Sequence, residues 1–298
     1  MIVNGVAIDD TFAEAFGMKA TRLIVTADTP AWAMHAATAM SGFATSVIAC
    51  GCEAGIERQL SPRETPDGRP GAAVLLFAMS GTELGKQVLT RAGQCVMTSP
   101  TSALFAGIEG EDKLKLGASL RFFGDGFQIS KVFGGKRYWR IPVMDGEFLC
   151  EDYAYVTKAV GGGNLLILAR SRAGVVTAAE RAVEAMRGIE GIIMPFPGGV
   201  VRSGSKVGSK YKSLIASSND AFCPTLKGLT ASALTPDIEA VLEIVIDGLT
   251  SDAVAAAMKA GIEAICELGS ELGIARISAG NYGGKLGQFH FHLRKIMS

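Results

Sequence analysis

The stretch from Leu242 to Asp247 reads LEIVID and has the pattern of a β-strand that carries a carboxylate among branched apolar residues. Side chains alternate between the two faces of a strand, so Glu243 has the apolar Val241 and Val245 on its own face. Burial among apolar groups disfavours the charged form of a carboxyl and raises its pKa. We therefore predict that Glu243 stays protonated near neutral pH, where it can donate a hydrogen bond to an oxygen that gains negative charge. The alternative is that Glu243 points into water from a half-exposed sheet face.

The order strand, helix, strand occurs twice in each half of the chain. This order predicts an α+β fold that duplicates a ferredoxin-like (split βαβ) α/β sandwich, with one lobe at residues 1–150 and the other at residues 151–298. The predicted strands are 22–26, 45–49, 73–79, 165–168, 189–194, 241–246, 274–278 and 288–293. The predicted helices begin at Pro30, at the Ser80 capping box, at Val175 and at a cap on Ser251.

Two segments do not fit this repeat. Residues 101–150 contain strand-like stretches at 120–123 and 138–141, which predicts a β-rich insertion in the N-terminal lobe. Residues 203–237 form a polar stretch without helical or strand periodicity, which predicts a long loop. Insertions on a compact scaffold are commonly where binding surfaces are built.

Composition and charge exclude several classes of protein. The 298 residues include 29 basic and 29 acidic side chains without a Lys/Arg run among aromatics, so we expect no nucleic-acid partner. No apolar run approaches the roughly 18 residues of a membrane-spanning helix, and the N-terminus lacks the basic and apolar regions of a signal peptide. We therefore expect a cytoplasmic protein without membrane contact. The mean hydropathy of +0.29 predicts surface that is buried against other subunits.

The cysteines and histidines give no reason to expect a metal site. The six cysteines are scattered beside apolar or small residues, which predicts reduced, packed thiols. Cys50 and Cys52 lack the two-residue gap of common zinc pairs, and His290 and His292 have no third ligand near them in sequence. The motifs of serine hydrolases, dinucleotide-binding folds and phosphate-binding loops do not occur either. An enzyme with this sequence would work without a metal or prosthetic group.

Glycine-rich clusters with polar side chains supply most of the candidate binding residues. Glycine lets the backbone approach a ligand closely, and lysines with hydroxyls can hold an anionic tail. Tight turns in solvated loops explain each single cluster as well. Gln94 comes instead from residues 94–98, which have the pattern of an apolar strand with polar ends. Packing explains this pattern more simply than binding does. The candidates are Asp67, Arg69, Gln94, Ser203, Ser205, Lys206, Lys210 and Lys285.

Taken together, these clusters resemble one known family. The stretches that carry the resemblance are DTFAEAF (10–16), GFATSVI (42–48), EAGIE (53–57), ETPDGRPG (64–71), GQCVMT (93–98), FFGDG (122–126), PFPGG (195–199), SKVGSK (205–210), EIVIDGL (243–249) and ISAGNYGGKLG (277–287). In order and from end to end, they resemble formylmethanofuran:tetrahydromethanopterin N-formyltransferase. The fold of that family, a duplication of ferredoxin-like subdomains, agrees with the repeat described above.

The resemblance implies reversible transfer of a formyl group between the amine of a methanofuran, or a bacterial analogue, and N5 of tetrahydromethanopterin. Both coenzymes would act as substrates in a ternary complex, without a metal or prosthetic group. The resemblance also implies a homo-oligomer, a dimer or a tetramer, with the methanofuran in an elongated apolar cleft between subunits and the pterin in a shallower one. The family's key carboxylate, thought to act in its protonated form, falls on Glu243.

The net charge of this chain differs from that of the archaeal members of the family. Archaeal members are strongly acidic, whereas this chain is neutral, so the resemblance points to a methylotrophic bacterium and to partner subunits of a formyl-hydrolase complex. The formyl group would then pass from tetrahydromethanopterin to the methanofuran analogue. One alternative is a non-catalytic coenzyme-binding or scaffold subunit of such a complex. Another is an amino-acid-sensing regulatory module.

Overall fold

The computed structural model describes residues 1–110 and 112–298, and its main feature is a large mixed β-sheet with helices packed on it. Its two longest strands are rich in small and branched apolar residues, which favour a half-buried extended chain. The strands are β1 (Ile2–Val3), β2 (Val6–Ile8), β3 (Phe12–Thr26), β4 (Glu53–Leu60), β5 (Gly71–Ala78), β6 (Ala103–Ala106), β7 (Asp112–Lys115), β8 (Ile129–Phe133), β9 (Lys136–Val143), β10 (Gly146–Glu151), β11 (Tyr153–Ala169), β12 (Ile192–Ile193), β13 (Lys206–Val207), β14 (Ala216–Ser217), β15 (Ala240–Gly248), β16 (Ile274–Ser278) and β17 (Phe289–His292).

The two long strands β3 and β11 join the halves of the chain. They pair in antiparallel register, with Phe16 opposite Gly161 and Ala20 opposite Thr157. Strand β3 also pairs with β5, β6 and β17, and β11 also pairs with β15, β16 and β7. The N-terminal and C-terminal halves of the chain therefore share one hydrogen-bonded sheet.

The helices cover the apolar faces of this sheet. They are α1 (Pro30–Ser41), α2 (Val47–Cys50), α3 (Gly81–Arg91), α4 (Gly117–Leu120), α5 (Arg172–Met186), α6 (Ser251–Leu268) and α7 (Leu293–Ile296). Helices α1 and α3 pack on β5, whereas α5 and α6 pack on β11 and β15, so that each half of the chain has its own buried core. Burial of these apolar faces is the main favourable contribution to folding in such a layered arrangement.

Each long helix begins behind a Ser or Thr whose hydroxyl accepts a hydrogen bond from the first turn. The capping residues are Thr29, Ser80, Ser171 and Thr250. The bonds satisfy backbone N–H groups that have no partner within the helix. In α6 the cap is Thr250 and not the predicted Ser251, because Thr250 Oγ1 accepts from the Ala253 N–H at 3.1 Å.

The strand predicted at 45–49 is wrong, because local capping outweighs the β-branched composition. The Ser46 hydroxyl accepts from the Ile48 N–H and begins α2. Gly51 ends this helix with a left-handed φ of 75°, and the strand follows as β4. This shift matters for the site because it places Glu53 at the first position of β4.

Further predicted strands are wrong or shorter than expected. Residues 92–96 continue α3 as a π-helical turn, so Gln94 does not lie on a strand. Residues 120–123 lie at the end of α4 and in a 3-10 turn that follows it. Only two residues of 189–194 form a strand, β12, because tight turns flank them. The other predicted strands, including 138–141, coincide with strands of the structure, although 73–79 and 288–293 extend one residue beyond β5 and β17 at one or both ends, and 203–237 is mostly loop.

A buried ion pair of the N-terminal half, Arg22 with Glu57, also binds a backbone N–H of the C-terminal half and leads to a prediction about stability. Glu57 accepts two hydrogen bonds from the Arg22 guanidinium and one from the Gly191 N–H, all at 2.6 Å, and its side chain is only 2% exposed. Glu57→Gln leaves Arg22 without its buried partner, so we expect the free energy of unfolding to fall by about 3 kcal/mol. Glu190→Gln is the control, since Glu190 reaches the same guanidinium from the surface and should contribute under about 0.5 kcal/mol. Urea denaturation measures both, and equal effects would contradict this account.

Within residues 1–110 and 112–298, no helix has both the length and the apolar character that crossing a membrane requires. The cytoplasmic location stays a prediction.

Candidate active site

A cleft of about 520 Å³ lies where β3, β11 and β15 meet the loops of the C-terminal half. Helix α2 and Glu53 line it from the N-terminal half, and the segments 205–206 and 278–282 line it from the C-terminal half. Concave sites with an apolar lining and a few convergent polar groups are the usual binding sites for small molecules. This cleft is therefore the candidate active site.

Glu243 lies on β15 and lines the cleft. Its backbone is fixed on both sides, since it pairs with Leu166 of β11 and exchanges two hydrogen bonds with Val201, at 2.7 and 2.9 Å. Ile244 and Ile246, on the opposite face of the strand, are fully buried in the core of the C-terminal half. The alternation of the strand thus directs Glu243 into the cleft while its neighbours hold the strand in place.

Burial raises the pKa of Glu243 to about 7. Desolvation is the sole cause, and the carboxyl has no hydrogen-bond partner in the described part of the chain. Because neither a donor nor a cation stabilises the charged form, a large fraction of the side chain is protonated at neutral pH. A protonated carboxyl in a cleft can donate its hydrogen to an oxygen of a bound molecule.

The loop from Tyr282 to Gly287 is held against the cleft by Glu14, a buried residue of β3. One carboxylate oxygen of Glu14 accepts from the N–H groups of Tyr282 and Gly284, at 2.6 and 2.8 Å. The other accepts from Leu286 and Gly287, at 2.7 and 2.6 Å. Four backbone donors on one carboxylate fix the path of this loop.

Two opposing effects act on the pKa of Glu14. Burial by itself would raise the pKa, but the four backbone N–H groups together outweigh it and lower the pKa to about 2. Glu14 is therefore ionised across the working pH range, in contrast to Glu243. The loop that it holds brings Tyr282 close to both acids: burial raises the pKa of Tyr282, and the charges of Glu243 and Glu14 raise it further.

Asn164 fixes another part of the cleft wall. Its Oδ1 accepts from the Gly280 N–H at 2.6 Å, and its Nδ2 donates to the carbonyl oxygens of Gly162 and Gly280, at 3.2 and 3.1 Å. The buried amide thus ties β11 to the segment after β16. Because Asn164, Gly162 and Gly280 all line the cleft, this network shapes the cleft directly.

Of the predicted site residues, Ser205 and Lys206 line the same cleft as Glu243. The Lys206 ammonium donates to Asp220 at 2.6 Å, across the hairpin loop. Ser203 and Lys210 are exposed in the same loop but do not line the cleft. Lys285 is exposed on the loop that Glu14 holds.

Three predicted residues lie elsewhere. Asp67 accepts from Thr26 Oγ1 at 2.7 Å and from Arg69 Nε at 2.9 Å, and Arg69 also donates to Asp28 at 2.9 Å. These bonds hold the loop between β4 and β5, away from the residues that line the cleft. Gln94 is exposed on the π-helical turn. The structure therefore does not bring these three residues together with Glu243.

Sequence reasoning missed Glu14, Glu53 and Asp247 as candidate site residues. Each of them is an acid on a strand and next to apolar or small residues in sequence, which is the signal that selected Glu243. Asn164 carries no comparable signal, because a polar amide in a glycine-containing stretch is also typical of a turn.

Comparison with known proteins identifies the family. The family described as formylmethanofuran-tetrahydromethanopterin formyltransferase matches residues 1–143, and the family described as its proximal lobe matches residues 146–296. The chain is 70% identical over 298 residues to the formylmethanofuran–tetrahydromethanopterin formyltransferase of Methylococcus capsulatus, with both chains covered completely. The chain belongs to this formyltransferase family.

Solved structures of the family have the same fold. The formyltransferase/hydrolase complex from Methylorubrum extorquens, solved in complex with methylofuran, contains a chain that matches with a TM-score of 0.98 and 56% identity, covering 100% of this chain and 99% of that one. The formyltransferase from Methanosarcina barkeri matches with a TM-score of 0.93 and 47% identity, covering 99% and 100%. The predicted resemblance is confirmed, and the chain is an N-formyltransferase.

Proposed function

We propose that this formyltransferase passes a formyl group reversibly between the amine of methanofuran, or a bacterial analogue, and N5 of tetrahydromethanopterin. Membership of the family supports the pair of coenzymes. The observation that carries the mechanism is Glu243: its carboxyl lines the main cleft, and burial raises its pKa to about 7. The coenzymes are the reactants, and the proposed route uses no prosthetic group.

The proposed reaction begins when the amine nitrogen attacks the formyl carbon. The carbonyl oxygen then gains negative charge, and protonated Glu243 donates a hydrogen bond to it, an interaction worth about 3 kcal/mol in comparable sites. Collapse of the intermediate breaks the bond between the formyl carbon and the leaving nitrogen, which takes up the proton released by the attacking amine. Holding both coenzymes in contact supplies the rest of the acceleration, because a bimolecular step becomes effectively unimolecular.

We propose that Ser205 and Lys206 bind an anionic part of one coenzyme, since both line the cleft that contains Glu243. Lys206 pairs with Asp220 through an ammonium that is half exposed, so an incoming anion can approach it without displacing buried groups. An ammonium and a hydroxyl beside the backbone of a glycine-containing loop form a common arrangement for anion binding.

We also propose that this chain assembles with other subunits and is divided into two lobes. The Methylorubrum extorquens relative is part of a formyltransferase/hydrolase complex, which supports similar partner subunits for this chain. A homo-oligomer, a dimer or a tetramer, remains part of the proposal. Each half of the chain packs two long helices on the sheet. This arrangement is in favour of our proposal of two ferredoxin-like lobes, at 1–150 and 151–298.

A non-catalytic coenzyme-binding or scaffold subunit is the second candidate function, and the complex from Methylorubrum extorquens is the observation that favours it. The two functions differ in an assay with the purified chain alone, using formyl-tetrahydromethanopterin labelled at the formyl carbon. A formyltransferase moves the label to the amine of the furan coenzyme, and omission of that acceptor abolishes the transfer. Binding of both coenzymes without movement of label would contradict the proposal and favour the scaffold.

The pKa of Glu243 predicts how the rate depends on pH. Only the protonated acid can donate to the oxyanion, so its contribution is constant well below pH 7 and falls about tenfold per pH unit above it. The ratio of the wild-type rate to the Glu243→Gln rate isolates this contribution, because titration of the coenzymes affects both enzymes equally. Single-turnover rates from about pH 5 to about pH 9 measure the ratio. A ratio that stays constant or rises above pH 7 would contradict a protonated Glu243.

A further inference from the structure

A second pair of acids, Asp247 and Glu53, lies where the two halves of the chain meet beside the cleft. Asp247 is on β15, on the face of the strand that also carries Glu243, and it is fully buried. Glu53 is the first residue of β4 and lines the cleft. In the described part of the chain, the two carboxyls lie within hydrogen-bonding reach of each other, the charge of Glu53 acts on Asp247, and no cation acts on the pKa of either acid. Two desolvated carboxyls without a cation cannot both be ionised at low cost.

The hydrogen bonds of the pair leave one oxygen without a partner. Asp247 Oδ1 accepts from the Gly162 N–H at 3.0 Å, and Glu53 Oε1 accepts from the Val47 N–H at 3.2 Å. Asp247 Oδ2 is buried and has no hydrogen-bond partner within residues 1–110 and 112–298. An ionised oxygen in that position would be costly, whereas a protonated Oδ2 becomes a donor toward the Glu53 carboxylate. Burial raises the pKa of both acids, and the charge of Glu53 raises that of Asp247 further.

The groups bound by the two acids form two different parts of the cleft lining. Gly161 and Gly162 form a bulge in β11, where the register with β15 shifts and Gly162 has a φ of 93°. A side chain at Gly161 would lie 2.0 Å from the sulfur of Met18, so the bulge is closely packed. Val47 begins α2, in the N-terminal half of the chain, and all of these residues line the cleft. Bulges of this kind often lie next to active sites and set the direction of nearby groups.

We infer that Asp247 and Glu53 share one proton and act together as positioning residues, fixing two parts of the cleft lining: the Gly161–Gly162 bulge and the start of α2. The kinetic consequence rests on the proposed function, whereas the effect on stability does not. The shared proton lets two acids from different halves of the chain attract each other, and its loss leaves two carboxylates that repel.

The experiment uses Asp247→Asn and Asp247→Ala. Asparagine keeps an acceptor for the Gly162 N–H and supplies an N–H donor toward Glu53, but it cannot titrate. Alanine removes both interactions. Melting temperatures are measured from about pH 6 to about pH 9 in the Glu243→Gln background, because Glu243 itself titrates in this range. The histidines and the other titrating groups outside the pair are the same in all variants, so differences between the pH profiles report the Asp247–Glu53 pair.

The expected sign follows from the raised pKa of Asp247. The folded protein keeps a proton that the unfolded chain releases near its ordinary value, so the stabilisation is complete below that value and is lost as the pH rises through the folded-state pKa. We expect the melting temperature to fall with rising pH when Asp247 is present and to depend less on pH in Asp247→Asn. Asp247→Ala should lower it at every pH.

Kinetics in the wild-type background complete the test. Because the bulge loses its acceptor in Asp247→Ala, we expect kcat/KM to fall by about tenfold or more, with a smaller loss in Asp247→Asn at neutral pH. Equal losses of kcat/KM in Asp247→Asn and Asp247→Ala would contradict the proposal that the two acids share a proton. Melting temperatures that depend on pH in the same way with and without Asp247 would contradict it as well. If formyl transfer itself is absent, the melting profiles still decide this inference, so its failure is distinct from failure of the proposed function.

Discussion

Glu243→Gln is expected to lower kcat by about a hundredfold or more, the scale seen when one oxyanion donor is removed from other enzymes. The amide of glutamine retains an N–H, but that N–H is a weaker donor than a carboxylic acid and cannot give up its proton. Glu243→Leu removes the donor altogether and should be at least as slow. Because the side chain acts mainly on the transition state, KM should change much less than kcat.

The matched control for this change is Glu239→Gln. Glu239 is exposed and lies just before β15, so the substitution removes one carboxylate from the same segment without altering the cleft. We expect its kcat to stay within about twofold of the wild type. The Glu243→Gln protein should also be no less stable than the wild type at pH 8, because the amide avoids burial of a charge. Unchanged turnover of folded Glu243→Gln protein would refute the mechanism and leave the family assignment intact.

Glu14→Gln is expected to cost at least about tenfold in kcat/KM through the loop that Glu14 holds. The amide has one oxygen where the carboxylate has two, so its nitrogen would face two of the four backbone donors. Those N–H groups lose their acceptor, and the loop that carries Tyr282 is released from β3. Since Tyr282 lies near Glu243, the active site loses part of its wall.

Amide hydrogen exchange measures the effect of Glu14 on the loop directly. The N–H groups of Tyr282, Gly284, Leu286 and Gly287 should exchange slowly in the wild type and much faster in Glu14→Gln. The Asn164 network, which does not involve the Glu14 side chain, should keep the Gly280 N–H protected in both proteins. Unchanged exchange at the four loop amides would contradict the assigned role of Glu14.

The pH dependence of the two variants should differ. The lowered pKa of Glu14 means that its stabilisation is present above the ordinary carboxyl pKa and is lost only as the pH falls toward about 2. The loss of kcat/KM caused by Glu14→Gln should therefore be constant from about pH 5 to about pH 9. The loss of kcat caused by Glu243→Gln should become smaller above pH 7, where wild-type Glu243 itself loses its proton.

The sequence by itself determined the features that depend on neighbours along the chain. Two-residue alternation placed Glu243 opposite the buried Ile244 and Ile246, and 3.6-residue spacing, with Pro30 and the Ser80 cap, located the four long helices, although not every cap. Ordered motifs along the whole chain identified the family. Local rules failed at 45–49, where the cap at Ser46 and the left-handed Gly51 outweighed β-propensity.

Only the tertiary structure decided which polar groups meet. Glu14 binds a loop about 270 residues further along the chain, and Glu53 meets Asp247 across the two halves. The two acids share a similar sequence signal, yet their protonation differs, because four backbone donors surround Glu14 while no donor among the residues that the structure describes reaches the carboxyl of Glu243. The pKa of a carboxyl depends on the groups that folding brings within a few ångströms of it, and sequence patterns do not encode those distances.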